Sequence, residues 1–490
     1  MKKSLRNVLF FSVLLLVFLV YDAYDSGKIH IYTEDEKGTQ TVESQKPSGK
    51  NKTTAKQKKQ VGKKNTDKNI RVLLSTTDFA GVYHAKVGLQ GTKGMKVTQS
   101  GKTTTYPAGK QLEVSEEQKF DAITVQPLDK GTLQITTITR QKRHPSYRGK
   151  IELTWSKQGI CVVNELPLEQ YLYAVVPSEI STGSEMEALK AQAVCARTYA
   201  RNQMEAKRYE KYNADVDDSV ACQVYNNVPE DARARKAVKA TNGQVVTCKG
   251  KRVQTYYYST SWGKSASGKE VWQTGKEVSY LRSCLQQESG GTDLDLSKEE
   301  AFRRFMQKED TVTYDKDSSW YRWSTQIMAD QLSMVIDERL QQCYRTDPDK
   351  VLTQKKDGTY VKKALMPLGD VQKIRVEKRE KSGLVTEIVI VGTKQVVKVC
   401  SQYNVRKVLS TDSLLIKLRS GETTVSMLPS AAIYVDSVTQ DGKKAFQIIG
   451  GGFGHGTGMS QTGAAKMASL GKNYREILTF YYSGCDVTAG

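Results

Sequence analysis

Apolar and polar positions divide the chain into three stretches of different character. Residues 8–21 are a nearly unbroken apolar run behind Lys2, Lys3 and Arg6. Residues 44–69 are Lys, Gln, Thr, Asn and Gly with hardly an apolar side chain. Such a segment cannot bury enough surface to offset its ordering entropy, so it is expected to be a flexible tether. From Ile70 the pattern becomes that of a packed domain. Ile70-Arg71-Val72-Leu73-Leu74 and Ile151-Glu152-Leu153-Thr154-Trp155 run or alternate as strands do. Pro167 suits the first turn of a helix reaching Val176, with Leu168, Tyr171, Leu172 and Val175 on one face. Pro177 is expected to stop it and to leave 178–183 as a loop. Ser184-Glu185-Met186-Glu187 has the spacing of a capping box, opening a second helix that runs to about Met204. Strands are predicted at 244–246, 253–258, 371–376, 385–391 and 396–399, and a short helix at 464–470 after a glycine-rich segment. Helices among many short strands predict an α+β fold. The expected arrangement is one elaborated domain over 70–488, built around the helical pair, with a polar, partly helical elaboration at 293–350.

Composition narrows the class. Of 490 residues, 38% are hydrophobic and 8% aromatic, enough for a core, which excludes wholesale disorder. No G-X-Y period, long heptad run or second long apolar stretch supports a collagen-like, coiled-coil or multi-span protein. The net charge of +21 points to a polyanionic partner: nucleic acid, acidic lipid or an acidic wall polymer. No aromatic residues interleave the basic tether, so nucleic acid is not expected. The tether reads first as a solvated linker over 23–69, with adhesion to anionic lipid or wall polymer as a secondary effect.

The apolar run is shorter than the ~20 residues that span a bilayer comfortably. No small-x-small cleavage site stands out after it, and the three cations put its start in the cytoplasm. The expectation is a cytoplasmic 1–6, an uncleaved signal-anchor at 7–22 and everything beyond it outside. The alternative is a cleaved export signal and secretion. The eight cysteines form no C-x-x-C pair, so zinc ribbons and thioredoxin-like sites have no support. Bridges are permitted in an exported chain, but spacing assigns none.

Three constellations carry chemistry. Glu179 follows Val175-Val176-Pro177 and precedes Ile180. An apolar setting disfavours its ionised form and would suit a general acid near neutral pH, although most loop glutamates are simply solvated. The segment 450–463 is dense in glycine around His455, one of four histidines. It lacks the Lys-Ser/Thr ending of a phosphate loop, and its glycines permit close approach of backbone to a ligand. His455 is equally open to a structural and a functional role. Tyr256-Tyr257-Tyr258-Ser259-Thr260-Ser261-Trp262-Gly263 ends a strand in aromatics and hydroxyls, which suits carbohydrate binding or ordinary sheet packing.

Together these segments resemble the stage II sporulation protein D (SpoIID) / LytB family. The first match runs from Leu166-Pro167-Leu168-Glu169-Gln170-Tyr171-Leu172 through Ser178-Glu179 into Glu187-Ala188-Leu189-Lys190-Ala191-Gln192-Ala193 and Arg197-Thr198-Tyr199. The second is Tyr258-Ser259-Thr260-Ser261-Trp262-Gly263, where relatives usually carry Gly or Cys in place of Trp262. The third is Gly454-His455-Gly456-Thr457-Gly458-Met459-Ser460-Gln461-Thr462-Gly463. The resemblance implies a lytic transglycosylase that cleaves peptidoglycan glycan strands, preferentially peptide-stripped ones, between N-acetylmuramic acid and N-acetylglucosamine to leave 1,6-anhydro ends. It implies Glu179 as the acid and base, without a second carboxylate. Lys190, Gln192, Arg197, Tyr258, Ser259, His455, Ser460 and Gln461 are then candidate glycan contacts. No cofactor and no metal are expected. The LytB branch implies an alternative, a wall-binding enhancer of an N-acetylmuramoyl-L-alanine amidase, so a wall amidase joins glycan strands and the membrane among expected partners.

Overall fold

The computed structural model describes residues 68–288, 294–308 and 312–490. The expected signal-anchor, and the linker up to Asp67, lie outside the described residues. Among the described residues no helix is long and apolar enough to cross a membrane.

The fold is α+β, with helices set among strands in several small sheets. Strands β1 (Asn69–Leu74), β2 (Lys150–Ser156) and β3 (Gly159–Pro167) form an antiparallel ladder at the centre of a seven-stranded sheet. Ile70, Val72, Leu74, Ile151, Leu153, Ile160 and Val162 are all buried in one core. Onto that core pack α1 (Leu168–Glu179), α2 (Met186–Ala206) and α3 (Ala232–Ala240). The chain returns to the same core at its end, where Met467, Ile477 and Leu478 are buried.

Between these visits it builds a second core, from Trp262 to Phe453. The strands expected at 371–376, 385–391 and 396–399 belong to it, as does α4 (Ala329–Thr346). The described residues of the stretch expected at 293–350 are therefore part of a larger body, in which Phe302, Trp320, Leu332 and Ile336 are buried.

Several local expectations shift. Helix α1 does not stop before Pro177 but carries it in its last turn. A proline's fixed φ fits a helix, and in the last turn the lost amide and the crowding of the carbonyl four residues back can be accommodated. Ser178 Oγ donates to the Ala174 carbonyl at 2.7 Å and Ile180 N to the Val176 carbonyl at 3.1 Å, so Glu179 is a helical residue rather than a loop one. The capping box at 184–187 does not form: Glu185 is the N-cap of α2 and gives no side-chain cap. Glu187 instead takes the ammonium of Lys190 at 2.6 Å and the amide of Tyr474 at 2.9 Å. The strand expected over 253–258 shrinks to β5 (Tyr257–Tyr258). The residues before it lie along α2, where Asn202 Nδ2 donates to the Val253 carbonyl and Thr255 Oγ1 to the Cys195 carbonyl.

Candidate active site

Strand β5 pairs in parallel with β6 (Met459–Ser460), Tyr257 opposite Met459 and Tyr258 opposite Ser460. This short ladder joins the tyrosine run to the glycine-rich segment. Side chains alternate along a strand, so Tyr257 faces away from its two neighbours. Tyr256 and Tyr258 flank the His455 ring, at centroid separations of 6.4 and 5.6 Å, with Trp272 at 5.8 Å. Tyr257 turns towards α1 and bonds the carboxyl of Glu179.

Three groups hold that carboxyl: the amide of Val224, which donates to Oε1 at 2.7 Å, the Tyr257 hydroxyl and the Gln461 side chain. Burial nevertheless dominates and pushes the Glu179 pKa up to about 7. The C-terminal end of α1, with its negative dipole, works in the same direction. Two glutamines steady these donors. Gln223 Nε2 donates to the Tyr257 hydroxyl at 3.0 Å, and Gln461 Nε2 points to Gln192 Oε1 at 3.4 Å. Glu179 and Gln192 from the first motif, Tyr257 beside the second and Gln461 from the third thus meet around one carboxyl group.

Ser460 caps α5 (Gln461–Ser469), its Oγ accepting from Gly463 N at 3.1 Å. The same hydroxyl donates to Asp315, whose Oδ1 also accepts from Ser261 N. Asp315 is fully buried, and burial pushes its pKa up to about 7. This aspartate from the second body ties the second and third motifs together. Ser259, half-buried, accepts from Thr462 N through its carbonyl at 3.0 Å. His455 Nδ1 accepts from Thr457 N at 3.2 Å. Burial first and the Arg406 charge second push the His455 pKa down to about 4, so its imidazole is neutral at pH 7.

Two candidates lie apart from this cluster. Arg197 is fully buried and doubly bonded to Glu169 of α1, at 2.6 and 2.7 Å, with further bonds to the carbonyls of Val238 and Gln244. Its guanidinium joins α1, α2 and α3, out of reach of a ligand arriving from solvent. Lys190 pairs with Glu187 and lies 5.7 Å from the Tyr474 ring, at the start of α6 (Tyr474–Tyr481).

Trp262, the departure from the family pattern, is fully buried and donates Nε1–H to the Ser382 carbonyl at 2.9 Å. Gly452 and Gly456 have φ of +76° and +84°, and a Cβ on either would press on the indole. The glycines here make room for a tryptophan as well as exposing a backbone.

Sequence reasoning missed Tyr257, Gln223, Val224 and Asp315 as members of the site. Period-two alternation within the tyrosine run was the available signal for Tyr257. Nothing local marks the other three, which reach the site only through tertiary packing. Among the described residues no group of three or more His, Cys, Asp or Glu side chains could hold a metal ion.

A family model described as Stage II sporulation protein, SpoIID, matches residues 156–248, which contain Glu179, Gln192 and Arg197. A domain of unknown function, DUF8618, matches 346–458, most of it in the second body. The amidase enhancer of Bacillus subtilis is 31% identical over 321 residues, covering 65% of this chain and 40% of that protein. Stage II sporulation protein D of Bacillus subtilis is 24% identical over 403 residues, covering 78% of this chain and 89% of that protein. An uncharacterized protein of Brachyspira hyodysenteriae is 28% identical over 344 residues, with 70% and 72% covered. The chain thus spans less than half the length of the amidase enhancer. Residues 156–248 thus match the SpoIID model, and the chain is homologous to stage II sporulation protein D and to the amidase enhancer.

Proposed function

We propose that this chain is a lytic transglycosylase of peptidoglycan glycan strands, with Glu179 as both acid and base. The observation that carries the reading is one carboxyl group, raised to about 7 by burial and held by three hydrogen-bond partners. None of the groups that shift it is a second carboxylate. A hydrolase that activates water needs a paired carboxylate; a transglycosylase that uses the sugar's own hydroxyl does not. Glu179 protonates the oxygen linking N-acetylmuramic acid to N-acetylglucosamine as that bond breaks. The carboxylate then accepts the proton of the muramic C6 hydroxyl as its oxygen bonds to the anomeric carbon, closing the 1,6-anhydro ring. The acetamido oxygen of the same sugar stabilises the positive centre in between. Near pH 7 the carboxyl is divided between its two forms, which suits both half-reactions.

Ser259 and His455, both half-buried, are assigned to glycan contact, with Lys190 further out. Gln192, Tyr258, Ser460 and Gln461, all buried, are assigned to holding those contacts in place, and Arg197 to holding the helices. The catalytic body is taken as 70–488, displayed outside the cell on a membrane anchor at 7–22. Purified chain given peptide-free glycan strands, with no partner present, should release fragments ending in 1,6-anhydromuramic acid, detectable by mass spectrometry. Fragments with ordinary reducing ends would replace the internal nucleophile with water and overturn the mechanism.

The name of the 31%-identical relative favours a second reading, enhancement of a wall amidase through strand binding. It predicts strand pull-down and faster amidase turnover with no strand cleavage by the chain alone.

A further inference from the structure

The C-terminal strand β7 (Asp486–Ala489) pairs antiparallel with β4 (Gln244–Cys248), Gln244 opposite Ala489 and Thr247 opposite Asp486. Continuing that register by one residue sets Cys248 opposite Cys485. The kind of pair can be counted. Gly490 N donates to the Gly243 carbonyl at 2.8 Å, which makes Gly243 and Gly490 a hydrogen-bonded pair. Alternation along an antiparallel ladder then makes Thr247 and Asp486 hydrogen-bonded, and Cys248 and Cys485 not. Residues in a non-hydrogen-bonded pair sit about 4.5 Å apart at Cα with their side chains closest, inside the window a disulfide needs.

The side chains agree. Cys248 and Cys485 share a face with Val246 and Val487, turned to the first core. Cys248 Sγ reaches the carbonyl of Gly484, the residue before Cys485, at 3.5 Å, and the two thiols are close enough to act on each other electrostatically. Cys248 is half-buried and Cys485 buried, so an oxidant meets Cys248 first. Neither residue has a part in the chemistry assigned to Glu179, and neither was paired by sequence spacing.

We propose that Cys248 and Cys485 form a disulfide that staples the C-terminal strand to its sheet. The bond forms by exchange with a disulfide oxidant, small or protein-borne. Cys248, as thiolate, attacks one oxidant sulfur and releases the other as a thiol; Cys485, losing its proton, then displaces the second. Two protein thiols are oxidised, and one oxidant disulfide is reduced to two thiols. The staple encloses β5 and the glycine-rich segment in one covalent ring. Just before it, the Tyr482 hydroxyl donates to the Tyr256 carbonyl at 2.7 Å, and that same carbonyl accepts from Met459 N at 3.0 Å. Fastening the C-terminus therefore fastens the prop under the strand pair that presents Tyr257 to Glu179.

The test is a disulfide map of the purified full chain after equilibration with oxidised glutathione. The chain is denatured, alkylated without reduction and digested, and its peptides are weighed. The expected result is one linked pair carrying Cys248 and Cys485, with the other six of the eight cysteines alkylated. The melting temperature of the oxidised chain should fall on reduction, and that of Cys248→Ser, at the more exposed position, should not. Alkylation of both cysteines, linkage of either to another cysteine, or a melting temperature indifferent to reduction in the wild type would overturn the staple. None of these outcomes depends on whether Glu179 cleaves glycan.

Discussion

Glu179 and Asp315 are two acids with similarly raised pKa values and opposite employment. Glu179 is only partly covered, whereas Asp315 is sealed in and spends its Oδ1 on Ser460 and Ser261. Both have folded pKa values raised by burial to about 7, against ordinary values of 4.5 and 3.8. A carboxyl raised on folding favours the folded state fully below its ordinary pKa, and that contribution is lost as pH rises through the folded value. The melting temperature should therefore fall between about pH 4 and pH 7, the window those values define. Asp315→Asn keeps the acceptor oxygen and should flatten part of the fall. An unchanged slope in that variant would mean that Asp315 does not titrate there. The burial that raises the Glu179 pKa was legible from its apolar neighbours. The partners of its carboxyl were not, because Val224 and Gln461 lie far from it along the chain.

Among the elements, the strong hydrophobic periodicities were readable and the ends were not. The buried face of α1 is carried by the residues whose spacing predicts it, yet its end moved because Pro177 is accommodated rather than obeyed. The capping box failed because Glu187 has a tertiary partner in Tyr474 that no local pattern shows. Arg197 gives the sharpest element-scale expectation. Arg197→Ala leaves Glu169 buried without its counter-charge and should cost about 3–5 kcal/mol of stability. Denaturant titration checks this, and a wild-type midpoint with weakened strand binding would return Arg197 to the glycan. Trp262 and Gly456 should be coupled. Gly456→Ala drives a methyl into the indole. It should therefore be less damaging in a Trp262→Ala background, where the cavity, costing about 3–5 kcal/mol by itself, leaves room. Additive losses in that double-mutant cycle would remove the packing account of the glycine.

At the scale of the molecule, the chain visits one core, builds a second and returns, so the motifs that form the site sit at the seams. Glu179 belongs to the first visit, Tyr257 to the departure and Gln461 to the return. The α+β class followed from the mixture of periods, but two cores could not be read from strand signals alone, since those signals do not say which strands share an interior. Asp315 shows that the second body is tied to the site, reaching across the seam to Ser460.

The central claim, that Glu179 donates and recovers one proton, is tested most directly by the rate of glycan-strand cleavage as a function of pH. If the acid form is required, kcat/KM should hold level below about 7 and fall about tenfold per pH unit above it. Glu179→Gln, folded and still binding strands, should lose about 10²–10⁴-fold across the whole range. A Glu179→Gln variant as active as the wild type would contradict the account, whatever the shape of its profile.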